Sequence, residues 1–162
     1  MWYDYYESEI GTIYVVMDKV GVRKIEIFKD RWNDYYKCNE GLLIHSKEVC
    51  GKAILELEEY FNGERKVFNL PLSIDTTEFR EKVWRELINI PYGETRSYSD
   101  IGVAIGNPKG VRAIGGANKS NELPIIIPCH RVIGKTGALV GYAGDNTHIK
   151  RYLLDLEKKY KK

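Results

Sequence analysis

The run Ile125-Ile126-Ile127-Pro128-Cys129-His130-Arg131-Val132 places three isoleucines before a proline, then a thiol, an imidazole and a guanidinium without a break. Pro128 lacks an amide hydrogen and disfavours the helical region for Ile127, so no helix can carry the run into Cys129. The expectation is an apolar, buried strand that stops abruptly and presents a thiol beside an imidazole. A cysteine reacts as its thiolate, and a neighbouring base or cation favours that form. Free cysteines are also among the most buried residue types and often act only as small hydrophobes. An inert core thiol accounts poorly for the proline, histidine and arginine gathered around Cys129.

At 162 residues the chain suits one domain, or two small ones sharing a core. No stretch has the apolar length of a membrane span. The N-terminal segment Met1-Trp2-Tyr3-Asp4-Tyr5 lacks the basic and apolar regions of a secretory signal, so a cytoplasmic protein is expected. Cys38, Cys50 and Cys129 are too few, and odd in number, for a disulfide framework. Pairing of Cys38 with Cys50 stays open at this level. The net charge of +2 hides an asymmetry. Residues 1–75 hold 10 Lys and Arg against 14 Asp and Glu, and residues 76–162 hold 15 against 9. A basic second half points to a polyanion, with nucleic acid first.

The first half reads as strands followed by a helix. Ile10 to Met17 is β-branched and aromatic, with a hairpin point at Gly11, and Val22 to Phe28 reads as a second strand. Residues 29–41, with Asp30, Asn33, Asp34, Asn39 and Gly41, look like a polar loop. A helix is predicted from Ser46, its N-cap, to Asn62, with Gly63 as the stop. Val67 to Leu70 reads as one more short strand, and residues 71–77 as a linker.

The second half changes character at Asp75, which forms a capping-box pattern with Glu78. Phe79, Val83, Trp84, Leu87 and Ile88 then recur on one helical face. Ser97 and Asp100 form a second capping box before Ile101 to Ile105. Gly106 turns the chain, Asn107 reads as an N-cap and Pro108 as a first helical residue. Two short helices around a glycine turn make a helix-turn-helix pattern. The second carries Gly110, Ala113, Gly115, Gly116 and Ala117, small residues that allow close approach, with Arg112 as a long cation among them. A plain helix hairpin packed on the core is the alternative. Residues 134–144 form a glycine-rich loop. The last helix starts near Asn146 or Thr147 with a stripe of Ile149, Tyr152, Leu153 and Leu156. Periodicity alone leaves Glu157 solvated beside that stripe.

The segment from Phe79 to Glu157 resembles the O6-alkylguanine-DNA alkyltransferases, also called methylated-DNA–protein-cysteine methyltransferases. The resemblance rests on Pro128-Cys129-His130-Arg131-Val132 together with residues 93–98, 106–109, 112–117, Asn121, 124–127 and Gly141-Tyr142, in matching order and spacing. It covers about half the chain, and the first half resembles the family only in length and element order. The fold implied is α/β, of the α+β kind. A small ribonuclease-H-like mixed domain with linker occupies residues 1–75, built on an antiparallel sheet. A mostly helical domain with a helix-turn-helix and the cysteine occupies residues 76–162.

The activity implied is direct DNA repair. A monomer binds double-stranded DNA through the minor groove and rotates an O6-alkylguanine out of the stack. Cys129 then takes the alkyl group irreversibly, once per molecule. The lesion is the alkyl donor, so no cofactor is implied. By the family pattern, His130 accepts the thiol proton through a water, Glu157 orients His130, Asn121 ties the active-site turn, and Tyr98 assists departure of guanine. Arg112 fills the space of the flipped nucleotide. Backbone groups of Val132, Tyr142 and Ala143 contact the base, and Ser97, Lys109 and Gly115 belong to the DNA-binding set. Ala143 stands where relatives often have serine, and one residue is inserted between Gly144 and Lys150. Cys38, His45 and Cys50 are irregularly spaced with no clear fourth ligand, so no metal is expected. Two rivals are a sensor of alkylated DNA without chemistry, which would lack Cys129, and a thiol hydrolase, which would usually bring its histidine from a distant segment.

Overall fold

The structure, a computed structural model, describes residues 1–135, 137 and 147–162. The chain divides into two compact units, Met1–Ile74 and Asp75–Lys162.

The first unit contains β1 (Trp2–Ser8), β2 (Gly11–Met17), β3 (Val22–Glu26), α1 (Lys29–Cys38), β4 (Ile44–His45) and α2 (Lys47–Phe61). Its sheet runs β3-β2-β1-β4. The first three strands are antiparallel, whereas β4 joins β1 in parallel. Gly11 takes φ +109°, a conformation open to glycine, and closes the β1–β2 hairpin. The sequence reading began the sheet at Ile10 and so left out β1, whose Asp4 and Glu7 interrupt its aromatic pattern.

β2 is covered on both faces. Tyr14 and Val16 pack with Trp32 and Leu43, the Tyr14 and Trp32 rings stacking at 4.5 Å and 7°. Ile13 pairs across the strands with Tyr6, whose ring meets Phe61 of α2 at 6.0 Å. Two-sided burial explains why Ile13 to Val16 reads as a continuous apolar run.

The polar loop expected over 29–41 is instead mostly helical, as α1. Its Asp and Asn residues resemble turn chemistry, and Phe28 at the N-cap supplies no side-chain cap. Trp32 is its one buried residue. A short polar helix takes its stability from such tertiary anchoring. Trp32→Ala is expected to lower the unfolding free energy by about 3–5 kcal/mol in urea titration. A loss below about 1 kcal/mol, within the scatter of surface changes, would show that α1 is held otherwise.

The Ser46 cap is present, its hydroxyl accepting Val49 N–H at 3.1 Å. The strand expected at Val67 to Leu70 does not form. There the amide of Asn69 donates instead to the buried carboxylate of Glu56 at 2.7 Å. The chain then meets β3 in a bridge at Val22 and Leu72, Val22 N–H donating to the Pro71 carbonyl at 2.8 Å and Ser73 N–H to the Val22 carbonyl at 2.9 Å. Gly21 permits that approach, because a Cβ there would lie 2.2 Å from the Pro71 carbonyl oxygen.

The second unit contains α3 (Glu78–Ile88), β5 (Arg96–Ser97), α4 (Tyr98–Ala104), α5 (Val111–Lys119), a 3-10 turn at Cys129–Arg131, β6 (Val132–Ile133) and α6 (Thr147–Tyr160). Thr77, not Asp75, caps α3 by accepting Arg80 N–H at 3.2 Å, because the cap must directly precede the first helical residue. Ser97 and Asp100 form the expected capping box at α4. α5 begins at Val111, three residues after Pro108. Asn107 to Gly110 closes a separate turn, with Gly110 N–H donating to the Asn107 carbonyl at 3.1 Å. Trp84 of α3 donates its indole N–H to the Ala117 carbonyl of α5 at 2.8 Å. β5 and β6 pair in parallel, Arg96 with Val132 and Ser97 with Ile133. That pairing sets the start of α4 beside the residues following Cys129.

Candidate active site

Residues 125–127 are not the expected strand. Ile125 takes φ +76°, a costly conformation for a β-branched residue. The reversal is held at several points. Ile127 N–H donates to the Leu123 carbonyl at 2.8 Å, and Asn121 Nδ2 donates to the Ile127 carbonyl at 2.9 Å. Asn121 Oδ1 in turn accepts Leu123 N–H at 2.9 Å. The 3-10 turn follows directly, so Cys129, His130 and Arg131 are buried together.

Cys129 is 3% exposed. Burial pushes its thiol up to about 11, although the Asn121 side chain and the Lys150 charge pull it down. The resting group is therefore a neutral thiol that needs a proton acceptor. His130 Nε2 lies 2.5 Å from Glu157 Oε2, with both side chains fully buried. Burial drives the His130 pKa down, and the nearby Arg131 and Lys150 charges add to this against the opposing pull of Glu157. Glu157 is held well below the usual carboxylate range. Burial works against its charge, but His130 and Arg131 outweigh it. A neutral imidazole beside a carboxylate carries its proton on Nε2 and donates it there. Nδ1 then bears the lone pair and is the nitrogen able to accept a proton.

Arg131 completes the cluster. Its Nε donates to Glu157 Oε1 at 2.8 Å and Nη2 to Oε2 at 3.0 Å, a bidentate pair. Nη1 donates to the Ile90 carbonyl at 2.7 Å, and the guanidinium lies 5.7 Å from the Tyr92 ring centroid. Gly93 N–H donates to Glu157 Oε1 at 3.1 Å. Glu157 is thus pinned by three residues, His130, Arg131 and Gly93, which overturns the solvated position that periodicity gave it.

Lys150 is the residue the sequence reading missed. It lies two turns before Glu157 on the buried face of α6, together with Leu153. It is fully buried. Burial depresses its pKa to about 8, while the Cys129 charge works in the opposite direction. Lysine within an otherwise apolar spacing was the available signal, because a lysine is rarely buried without a partner.

The other sequence-derived positions divide by place. Tyr98 opens α4 and is half-buried. Burial and the Cys129 charge raise its pKa, and the Asn118 side chain opposes that rise. Val132 is buried in β6, and Ser97 caps α4. Arg112 and Lys109 are exposed, Arg112 in the first turn of α5. Ile114, Ala117 and Asn118 form the buried side of that helix. A Cβ added at Gly115 or Gly116 would meet no protein atom within 4 Å. Tyr142 and Ala143 lie outside the described residues. All three cysteines are free thiols. Among the described residues no group of three His, Cys, Asp or Glu side chains is placed to hold a metal.

The chain matches two family descriptions in succession. Residues 1–74 match "6-O-methylguanine DNA methyltransferase, ribonuclease-like domain", and residues 78–159 match "6-O-methylguanine DNA methyltransferase, DNA binding domain". It is 45% identical over 157 residues to the constitutive methylated-DNA–protein-cysteine methyltransferase of Bacillus subtilis, covering 97% of this chain and 95% of that one. Identity to the methylated-DNA–protein-cysteine methyltransferase of Methanosarcina barkeri is 42% over 157 residues, 97% of each chain. The fold matches the crystal structure of Mycobacterium tuberculosis OGT in complex with DNA at a TM-score of 0.88 and 36% identity. That match covers 99% of this chain and 94% of the other.

Proposed function

The chain belongs to the methylated-DNA–protein-cysteine methyltransferase family, and we propose that it repairs DNA directly by moving the alkyl group of an O6-alkylguanine onto its own Cys129. The observation that carries this reading is the buried 3-10 turn, in which a neutral thiol at Cys129 directly precedes a neutral His130 imidazole held by the Glu157 carboxylate.

The proton of the thiol passes to His130 Nδ1 through a water, and Glu157 Oε2 stabilises the imidazolium that forms. The sulfur attacks the alkyl carbon. An S–C bond forms, the C–O6 bond breaks, and its electron pair goes to the guanine. Tyr98 supplies a hydrogen bond or proton to the departing base, raising its leaving ability. The product thioether carbon is a poor electrophile, so each molecule acts once. Asn121 holds the reversal at Ile127 that places the thiol. Backbone groups of Val132, Tyr142 and Ala143 contact the flipped base.

The duplex is bound through the minor groove by α4 and α5, with Ser97, Lys109 and Gly115 in the contact set. Arg112 occupies the gap the base leaves. The protein acts as a monomer in the cytoplasm, where its DNA substrate lies. The open surface at the α5 glycines supports close approach of another molecule. Gly116→Ala is therefore expected to raise stability by up to about 1 kcal/mol, read by thermal melting, while weakening binding to duplex DNA. Unchanged DNA affinity would remove that face from the interface.

The overall reading is tested by incubating the protein with excess duplex containing O6-methylguanine. Repair is expected to stop at one lesion per protein molecule. Continued turnover would contradict a terminal acceptor.

A further inference from the structure

The turn that follows α3 touches the proton-accepting cluster at several points, yet the reaction above assigns it no part. Glu94 N–H donates to the Pro91 carbonyl at 3.1 Å, which closes the turn with Tyr92 and Gly93 at its centre. Gly93 takes φ +77°. Just before the turn, the Ile90 carbonyl accepts Arg131 Nη1 at 2.7 Å. Within it, Gly93 N–H donates to Glu157 Oε1 at 3.1 Å. Tyr92 lies between these two contacts in the chain, half-buried, with the Arg131 guanidinium over its ring at 5.7 Å from the centroid. Burial and then the Glu157 charge raise the Tyr92 pKa against the pull of Arg131, and Tyr160 adds to the rise. Lys161 packs against Gly93, where an added Cβ would lie 2.6 Å from its Cδ. The segment therefore holds the cation by a carbonyl and an aromatic face, and the anion by an amide.

The hold matters because His130 takes the thiol proton at Nδ1 while Glu157 Oε2 accepts from Nε2. The last torsion of a glutamate side chain is soft, so its carboxylate turns unless something fixes it. The bidentate bond to Arg131 opposes that rotation, since turning the carboxylate breaks both of its donor contacts. Arginine is itself a long side chain with much rotamer freedom to lose. A cation within about 6 Å of an aromatic centroid is attracted to the negative face of the ring. The Tyr92 ring thus restrains the group that restrains the carboxylate.

We propose that Tyr92 is a positioning residue for alkyl transfer: its ring keeps the Arg131 guanidinium on Glu157, and through that carboxylate it keeps the lone pair of His130 on Nδ1. This rests on the alkyl-transfer reading of Cys129. The face of the ring does the work, so phenylalanine serves in its place and an aliphatic side chain does not.

The test reads two quantities at neutral pH. One is the His130 tautomer, from nitrogen NMR of protein labelled in its histidine rings, with the His45 and His148 signals identified by substituting each with glutamine. The other is the single-turnover rate with a free O6-benzylated guanine, which needs no duplex. Wild type is expected to show its ring proton on Nε2. Tyr92→Leu is expected to show a mixture of tautomers and to react about 3- to 30-fold more slowly. Tyr92→Phe is expected to keep the wild-type tautomer and a rate within about twofold. Circular dichroism establishes that each variant is folded, and Tyr92→Met replaces Tyr92→Leu if the latter is not. A folded aliphatic variant with the wild-type tautomer overturns the proposal, whether its rate is unchanged or is lowered by general loss of packing. So does a mixed tautomer with no loss of rate, a Tyr92→Phe that falls as far as Tyr92→Leu, or a wild type with its proton on Nδ1. Wild type inert towards both the free base and an O6-methylguanine duplex would instead sink the alkyl-transfer reading, and the tautomers alone would then judge whether Tyr92 positions His130.

Discussion

Glu157→Gln is expected to slow alkyl transfer by about 10²- to 10⁴-fold. Glu157 Oε2 accepts the Nε2–H of His130 at 2.5 Å and so leaves the lone pair on Nδ1. An amide can turn its NH₂ towards Nε2. The imidazole then takes the opposite tautomer and loses the nitrogen that receives the thiol proton. The same change leaves the Arg131 guanidinium buried without its bidentate carboxylate. Removing one partner of a buried pair costs about 3–5 kcal/mol, so the melting temperature should fall with the rate. Single-turnover kinetics well below the new melting point separate the two effects. A folded Glu157→Gln with the wild-type rate would dismiss Glu157 from the proton path.

The carboxyl also gives an acid signature. Its folded pKa lies below the unfolded value of about 4.3. Its contribution to stability is complete above the unfolded pKa and is lost as the pH falls towards the folded one. Wild type should lose stability below about pH 4 in a way that Glu157→Gln does not.

Lys150→Met is expected to cut the rate at neutral pH by about 10- to 100-fold, and to move the pH–rate profile towards alkali by about 1–2 units. Burial has already pushed the Cys129 thiol up to about 11. Lys150, itself pushed down to about 8, is still protonated at neutral pH and favours the thiolate. Removing that cation leaves burial to act on the thiol unopposed by Lys150. Reaction with a free O6-benzylated base across pH reads the shift without DNA binding. A superimposable profile would show that Lys150 does not act on the sulfur.

The stability sign is set by the same thiol. Its folded pKa is raised, so the neutral form is favoured. The buried thiol's contribution is complete below the unfolded pKa of about 8.5 and is lost as the pH rises towards the folded value.

How far the sequence could be read depended on the range of the interaction that places each element. The capping pair Ser97–Asp100 and the Ser46 cap act within one turn, and both were legible. Helix α1 was not, because Trp32 earns its place by stacking on Tyr14, in another element. The Ile125 reversal looked like a strand because three isoleucines favour one. It forms because Asn121 and Leu123 close the backbone around Ile127. Glu157 and Lys150 are polar residues on an apolar face, where periodicity assigns charges to solvent. The Arg131 and His130 side chains, more than twenty residues away, help make the burial of Glu157 tolerable, together with the Gly93 amide. The Pro128-Cys129-His130-Arg131 order was visible from the outset. The partners that give the cluster its chemistry were visible only through the family resemblance or the structure.

The most direct measurement is the intact mass of the protein after incubation with a duplex containing O6-methylguanine, followed by mapping of the modified peptide. Wild type should gain the mass of one methylene as a hydrogen is exchanged for a methyl group, with the modification on Cys129. Cys129→Ala should remain unmodified. A methyl group on Cys38 or Cys50, or an unmodified wild type after the lesion has disappeared, would contradict transfer to the buried thiol.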